Sequence, residues 1–298
     1  EDKSAPTLEK IHNKYYLRFS FTETVTLSDT PIAEQIICAV DLGINTDAVC
    51  SIMKADGTIL ARKFIDFTSD KDRMIHAMNR TRRKQSKYGP KSVRGLWAYV
   101  KRLNEDRAKK ISAAIVEFAS QHSVDAIVME HLDFKGCKKR GSKAQRLSMW
   151  NHGIIREKAE QKAHLLGIRI ATICAWKTSA LAFDGSGSVT RDDNNHALAT
   201  FTTGKQYNCD LSASYNIGAR YFIRELLKSL PATEESRVKA KVPDAGRRTS
   251  CTLSTLRTLV KELSAAYRCI CSPVYVLVFV WVSVSSDSEI QYPPGYSN

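Results

Sequence analysis

Residues 36–44 read IICAVDLGI. Its unbroken apolar run at 36–40, without helical spacing, is a buried strand, and Asp41-x-Gly43 closes it with a turn that has an acid at its mouth. Immediately downstream, 47–64 (DAVCSIMKADGTILARKF) reads as two more strands joined by an Asp56-Gly57 hairpin turn, so three strands begin the core. Further on, 124–130 (VDAIVME) returns as a buried strand, 151–166 carries helical spacing and 168–173 is strand again. Strands and helices alternate, as in an α/β sheet. Upstream, 15–25 (YYLRFSFTETV) alternates loosely and reads as a strand.

Two of these strands end in acids: Asp41 follows IICAV and Glu130 follows AIVM. A third acid, Asp210, opens a helix whose apolar face is Ile217, Phe222, Ile223, Leu226 and Leu230 and which Pro231 stops. Neighbouring strand ends bring such acids together. Clustered carboxylates suit phosphodiester hydrolysis, because they hold two divalent ions that activate water and stabilise the leaving oxygen. Oxygen ligands of this kind favour Mg2+ or Mn2+. Taken singly, an Asp after a strand is more often a turn residue and an Asp before a helix more often a cap.

The 298 residues carry 45 Lys and Arg against 31 Asp and Glu, a formal charge of +14. The surplus is local. Residues 71–110 hold 14 bases and three acids, and 135–146 hold six bases and no acid. Residues 70–87 read as a very basic helix, Gly89-Pro90 breaks it, and Val93, Leu96, Val100, Leu103, Ile111, Ile115 and Phe118 continue with helical spacing. One face packs and the other is cationic, which points to a polyanionic partner. Trp97 and Tyr99 stand among these bases; the expectation for Trp97 is core packing. The eight cysteines form no Cys-x-x-Cys pair and read as free thiols of a reducing cytosol. The first ten residues do not read as a signal peptide. Residues 274–284 (VYVLVFVWVSV) read as a strand in need of a partner, too short for a membrane helix, so no membrane association is expected.

The flanks of the three acids resemble the TnpB family of transposon-encoded, RNA-guided endonucleases, relatives of type V CRISPR effectors. AVDLGIN at 39–45 is similar to the first RuvC motif, IVMEHLDFKG at 127–136 to the second and CDLSASYNIGARY at 209–221 to the third, while 158–179 (KAEQKAHLLGIRIATICAWKTS) resembles the segment leading into the family's zinc ribbon. The resemblance covers roughly residues 15–230. It implies a ribonuclease H-like (RuvC) α/β domain at 38–230, split by a basic helical insertion at 70–123 and a loop at 174–209. It further implies Asp41, Glu130 and Asp210 as catalytic, metal-binding acids for two Mg2+ or Mn2+, a guide RNA and a DNA target. Arg80, Arg82, Arg83, Lys84, Lys87, Lys91, Arg94, Lys101, Arg102, Lys138, Lys139 and Arg140 are then the nucleic-acid contacts, and Asn216 is structural. The expected location is the cytoplasm, at the nucleoid when bound to DNA.

Two departures stand out. Where the family carries two Cys-x-x-Cys pairs, only Cys174 and Cys209 bracket the segment, with His196 between them, so zinc is not expected. Only about 37 residues precede the first motif, which reads as a remnant of the family's N-terminal β wedge, and 231–298 reads as linker and tail. Two rival functions remain open: a non-cleaving RNA- or DNA-binding remnant, and an actin-like or sugar-kinase-fold ATPase, whose second phosphate loop is not found.

Overall fold

The computed structural model describes residues 5–11, 13–20, 24–132, 150–192, 195, 197–247 and 249–270. A five-stranded mixed sheet is its centre: β3 (Ile36–Asp41), β4 (Ala48–Lys54), β5 (Ile59–Ile65), β6 (Ala126–His131) and β7 (Arg169–Cys174), in the order β5-β4-β3-β6-β7. The first three are antiparallel neighbours, as the short turns at 42–47 and 55–58 require. β6 and β7 run parallel to β3, each reached through helical connections. This is the ribonuclease H-like α/β arrangement expected from the sequence.

Side chains alternate across a strand, and here the alternation sorts the core. Cys38 and Val40 face α2 (Arg94–Gln121) and α3 (His152–Leu165), while Ile37 and Ala39 face α4 (Cys209–Lys228). On β6, Ile127 and Met129 take the α2 side, and Ala126 and Val128 the α4 side. α4 is buried nearly all round, between the sheet and α6 (Leu253–Ile270). It lies so close to the sheet that a Cβ on Gly218 would sit 2.9 Å from Met53 Cε and 3.2 Å from the Ala39 Cβ.

α1 (Thr68–Tyr88) and α2 form a helical hairpin, broken where expected, with Gly89 at φ 81°. Two expectations are corrected. Residues 232–250, expected as linker, form α5 (Ala232–Lys241) and a 3-10 turn (Pro243–Gly246) that join α6 against α4; Val238, Val242, Ala245 and Cys251 are buried there. The 174–209 loop contains a small three-stranded sheet of β8 (Thr190–Arg191), β9 (Leu198–Thr200) and β10 (Gln206–Asn208) around Ala182, Ala199, Phe201 and Cys209. At the amino-terminal end, β1 (Thr7–Ile11) and β2 (Lys14–Arg18) pair as an exposed ribbon. The expected strand at 274–284 lies outside the described residues. No described helix is long and apolar enough to cross a membrane.

Candidate active site

Strand parity carries the first two acids to one place. Asp41 is two residues beyond Ala39 and Glu130 two beyond Val128, so both leave the sheet on the α4 side. Val40 pairs with Met129 across the parallel β3/β6 ladder, which sets Asp41 beside Glu130 at the carboxyl ends of adjacent strands. Asp210 arrives from the first turn of α4. It is not the helix cap, because Asn208 takes that role and accepts from the Leu211 N–H at 2.9 Å.

Burial raises all three carboxyls, and Asp41 also feels the charges of the other two. Asp41, 9% exposed, is held well above the ordinary Asp range by burial first, then by the charges of Glu130 and Asp210, with Arg191 opposing. Burial also raises Glu130, against the Thr178 hydroxyl and Arg220. Asp210 is raised by burial against Arg191 and a hydrogen bond from Thr46. Three acids in one low-dielectric corner resist full ionisation unless a cation joins them, and their oxygens are the hard donors a divalent ion prefers. The donor chemistry therefore fits the expected ions. Among the described residues no group of three or more His, Cys, Asp or Glu side chains is posed to hold a metal ion.

The surroundings are built from buried polar contacts. Thr178, 3% exposed, hydrogen-bonds through Oγ1 to Glu130 Oε1. Asn216, fully buried, donates to the carbonyls of Thr178 (3.0 Å) and Leu181 (2.9 Å) and accepts from Leu253 N–H (3.3 Å), a structural role as expected. Arg220 donates to the carbonyls of Cys174, Trp176, Thr249 and Cys251. On the other side, Asp47 anchors the 42–47 turn, bonding the Phe67 N–H at 2.9 Å and pairing with Arg107 of α2. Gly43 is required in that turn, since a Cβ would lie 2.5 Å from the Thr46 carbonyl oxygen.

Sequence reasoning did not single out Thr46, Thr178, Arg191 or Arg220. Thr178 lies inside the WKTS stretch and Arg220 inside the third motif, so both were within reach; Arg191 is a lone base in a polar loop, with no spacing to mark it. Cys209 is buried with its Sγ toward the Ser179 carbonyl (3.4 Å), whereas Cys174 is exposed. His196 lies outside the described residues.

Arg80, Arg82, Arg83, Lys84, Lys87, Lys91, Arg94, Lys101 and Arg102 are all exposed on the α1–α2 hairpin. Lys138, Lys139 and Arg140 fall outside the described residues. Trp97 is half-buried at the elbow and donates to Gln85 Oε1 at 2.6 Å, so it braces the hairpin. Tyr99, more exposed, accepts from Arg73.

No family model and no curated protein matches the chain. Among solved structures it is similar to a Cas12f1–sgRNA–target DNA complex at 17% identity and a TM-score of 0.47, over 70% of this chain and 54% of that one. It is also similar to an AacC2c1–sgRNA binary complex (10%, TM-score 0.46, 63% and 39%) and to RuvC of Thermus thermophilus (10%, TM-score 0.30, 77% and 96%). The chain spans about half the length, or less, of the two RNA complexes' protein chains.

Proposed function

We propose that this chain is the catalytic part of a metal-dependent DNA endonuclease that works with a guide RNA, as in the TnpB-like and type V systems its motifs resemble. The observation that carries the nuclease reading is the meeting of Asp41, Glu130 and Asp210. Two strand ends in parallel register and a helix start capped by another residue bring the buried Asp41 and the half-buried Glu130 and Asp210 within one electrostatic field.

Asp41, Glu130 and Asp210 would hold one or two Mg2+ or Mn2+ ions, which supply Lewis-acid chemistry at a phosphate. The chain's own residues do the rest. Thr178 orients Glu130, Thr46 orients Asp210, and Arg191 adds a positive charge beside the acids to attract a phosphate. The cationic α1–α2 hairpin supplies sequence-independent affinity for a nucleic-acid backbone.

The test is cleavage of labelled DNA in Mg2+ or Mn2+ by the chain purified with its copurifying RNA, alongside Asp41→Ala, Glu130→Gln and Asp210→Asn. The proposal requires loss of cleavage in each variant; equal activity in all four proteins overturns it. Sequencing the copurified RNA tests the guide, and absence of a discrete species removes that part alone.

A second reading, a nucleic-acid-binding protein that does not cleave, is favoured by the exposed cationic α1–α2 hairpin, which grips phosphates without the acids. It predicts tight, salt-sensitive binding of RNA or DNA with no metal-dependent product.

A further inference from the structure

The turn after β7 exposes an indole on a backbone that is held unusually firmly. Trp176 is 64% exposed. Yet Arg220, itself 5% exposed, donates from Nη1 to the carbonyls of Cys174 at 2.9 Å and Trp176 at 2.8 Å. Thr178 Oγ1 reaches the Ala175 carbonyl at 3.1 Å, and buried Asn216 donates to the Thr178 carbonyl at 3.0 Å. Between them Lys177 adopts φ 59°, a conformation that persists in a non-glycine residue only where the surroundings impose it. A single exposed aromatic on a loose loop calls for no explanation. An exposed tryptophan on a turn fixed by three buried polar side chains is a positioned one.

Its neighbours say what it is positioned for. Two residues on, Thr178 hydrogen-bonds Glu130. Lys177, next to Trp176 in the chain, is exposed, and Arg191 donates to the Ser179 carbonyl at 3.5 Å, so the turn carries two cations. A rigid aromatic face with adjacent cations is the chemistry that grips unpaired nucleic acid: the base stacks on the ring and the phosphates meet the charges. A paired duplex keeps its base faces stacked and offers the ring nothing.

We propose that Trp176 stacks on an unpaired nucleobase, with Lys177 and Arg191 holding the adjoining phosphates, so that a single strand lies past Glu130. That this strand is the one to be cut rests on the nuclease reading; the binding itself does not.

The experiment is anisotropy of a fluorescein-labelled 12-nucleotide oligo-dT with the full chain, in EDTA so that nothing is cleaved and at raised salt to damp general phosphate contacts. Trp176→Ala and Trp176→Phe are compared with the parent, and a duplex of equal length is the control. The proposal expects about tenfold or greater weakening for Trp176→Ala, retention within about threefold for Trp176→Phe because a stacking face remains, and unchanged duplex affinity. Unaltered melting of the exposed-site variant confirms that it folds. Equal oligo-dT affinity in parent and Trp176→Ala overturns the proposal, as does equal weakening on single strand and duplex. A parent that shows Trp176-dependent binding but no cleavage in Mg2+ would overturn the nuclease reading and leave this one standing.

Discussion

Replacing Asn216 by alanine removes one amide that ties three segments together around the acids. In the folded chain its Nδ2 donates to the Thr178 and Leu181 carbonyls and its Oδ1 accepts from Leu253 N–H, with no exposure to solvent. Alanine leaves two acceptors and one donor in the interior. Each such orphan costs roughly 1–3 kcal/mol, and since the carbonyls recover part of this by relaxing toward water, the total comes to about 3–5 kcal/mol. At roughly 2–4 °C per kcal/mol for a folded unit of this size, the melting temperature should fall by about 6–20 °C. Differential scanning fluorimetry reads the fall, and a urea titration should show a lower midpoint at unchanged slope. Because the same amide holds Thr178 against Glu130, any stabilisation by Mn2+ should shrink too. A fall under about 2 °C would refute the reasoning, since it would mean that the three contacts hold nothing together.

Other consequences follow from particular contacts. Arg107→Ala strands the buried Asp47 carboxylate and should cost roughly 3–5 kcal/mol in urea unfolding, whereas the double replacement Asp47→Leu/Arg107→Met should recover most of it; equal losses would contradict the pairing. Burial raises the Asp125 carboxyl, but the Ser28 and Thr30 hydroxyls, the Ile36 N–H and Arg169 outweigh it and leave it below the usual range. Its contribution is therefore complete above the unfolded Asp value of about 3.9 and is lost as pH falls through the lower folded one. The stability gap between parent and Asp125→Asn should close in acid, and a gap independent of pH would count against that pairing. Changing Arg80, Arg82 and Arg83 together to Gln should reduce the slope of log K against log salt for nucleic acid by about 2–3; an unchanged slope would remove α1 from the interface.

Much of the sheet was legible because its signals are local. The apolar run at 36–40, the Asp56-Gly57 turn with Gly57 at φ 81°, and the Gly89-Pro90 break each act over a few residues. The acids were singled out by their flanking motifs, while their meeting depends on β3/β6 register, a long-range property. What escaped was written weakly. Strands of two or three residues, such as β8 to β10, are too short to show alternation. α5 (ATEESRVKAK) buries only Val238 and so reads as a polar linker. Pro231 was read as a helix stop, and it is also the residue from which α5 starts. Asn208 displaced Asp210 as the cap, a distinction of two residues that decides whether the acid is structural or free for chemistry.

The central claim, that Asp41, Glu130 and Asp210 form a divalent-cation site, is tested most directly by melting the parent and Asp41→Asn across a Mn2+ titration at neutral pH. Asp41 is raised by burial and by its two acidic neighbours, so above the unfolded Asp value its ionisation works against folding, and the neutral amide relieves it. Asp41→Asn should therefore melt higher than the parent in EDTA. The parent should gain about 2.7 kcal/mol at a hundredfold excess over its dissociation constant, and the variant should gain almost nothing. A variant no more stable than the parent without metal, and equally stabilised with it, would contradict the account.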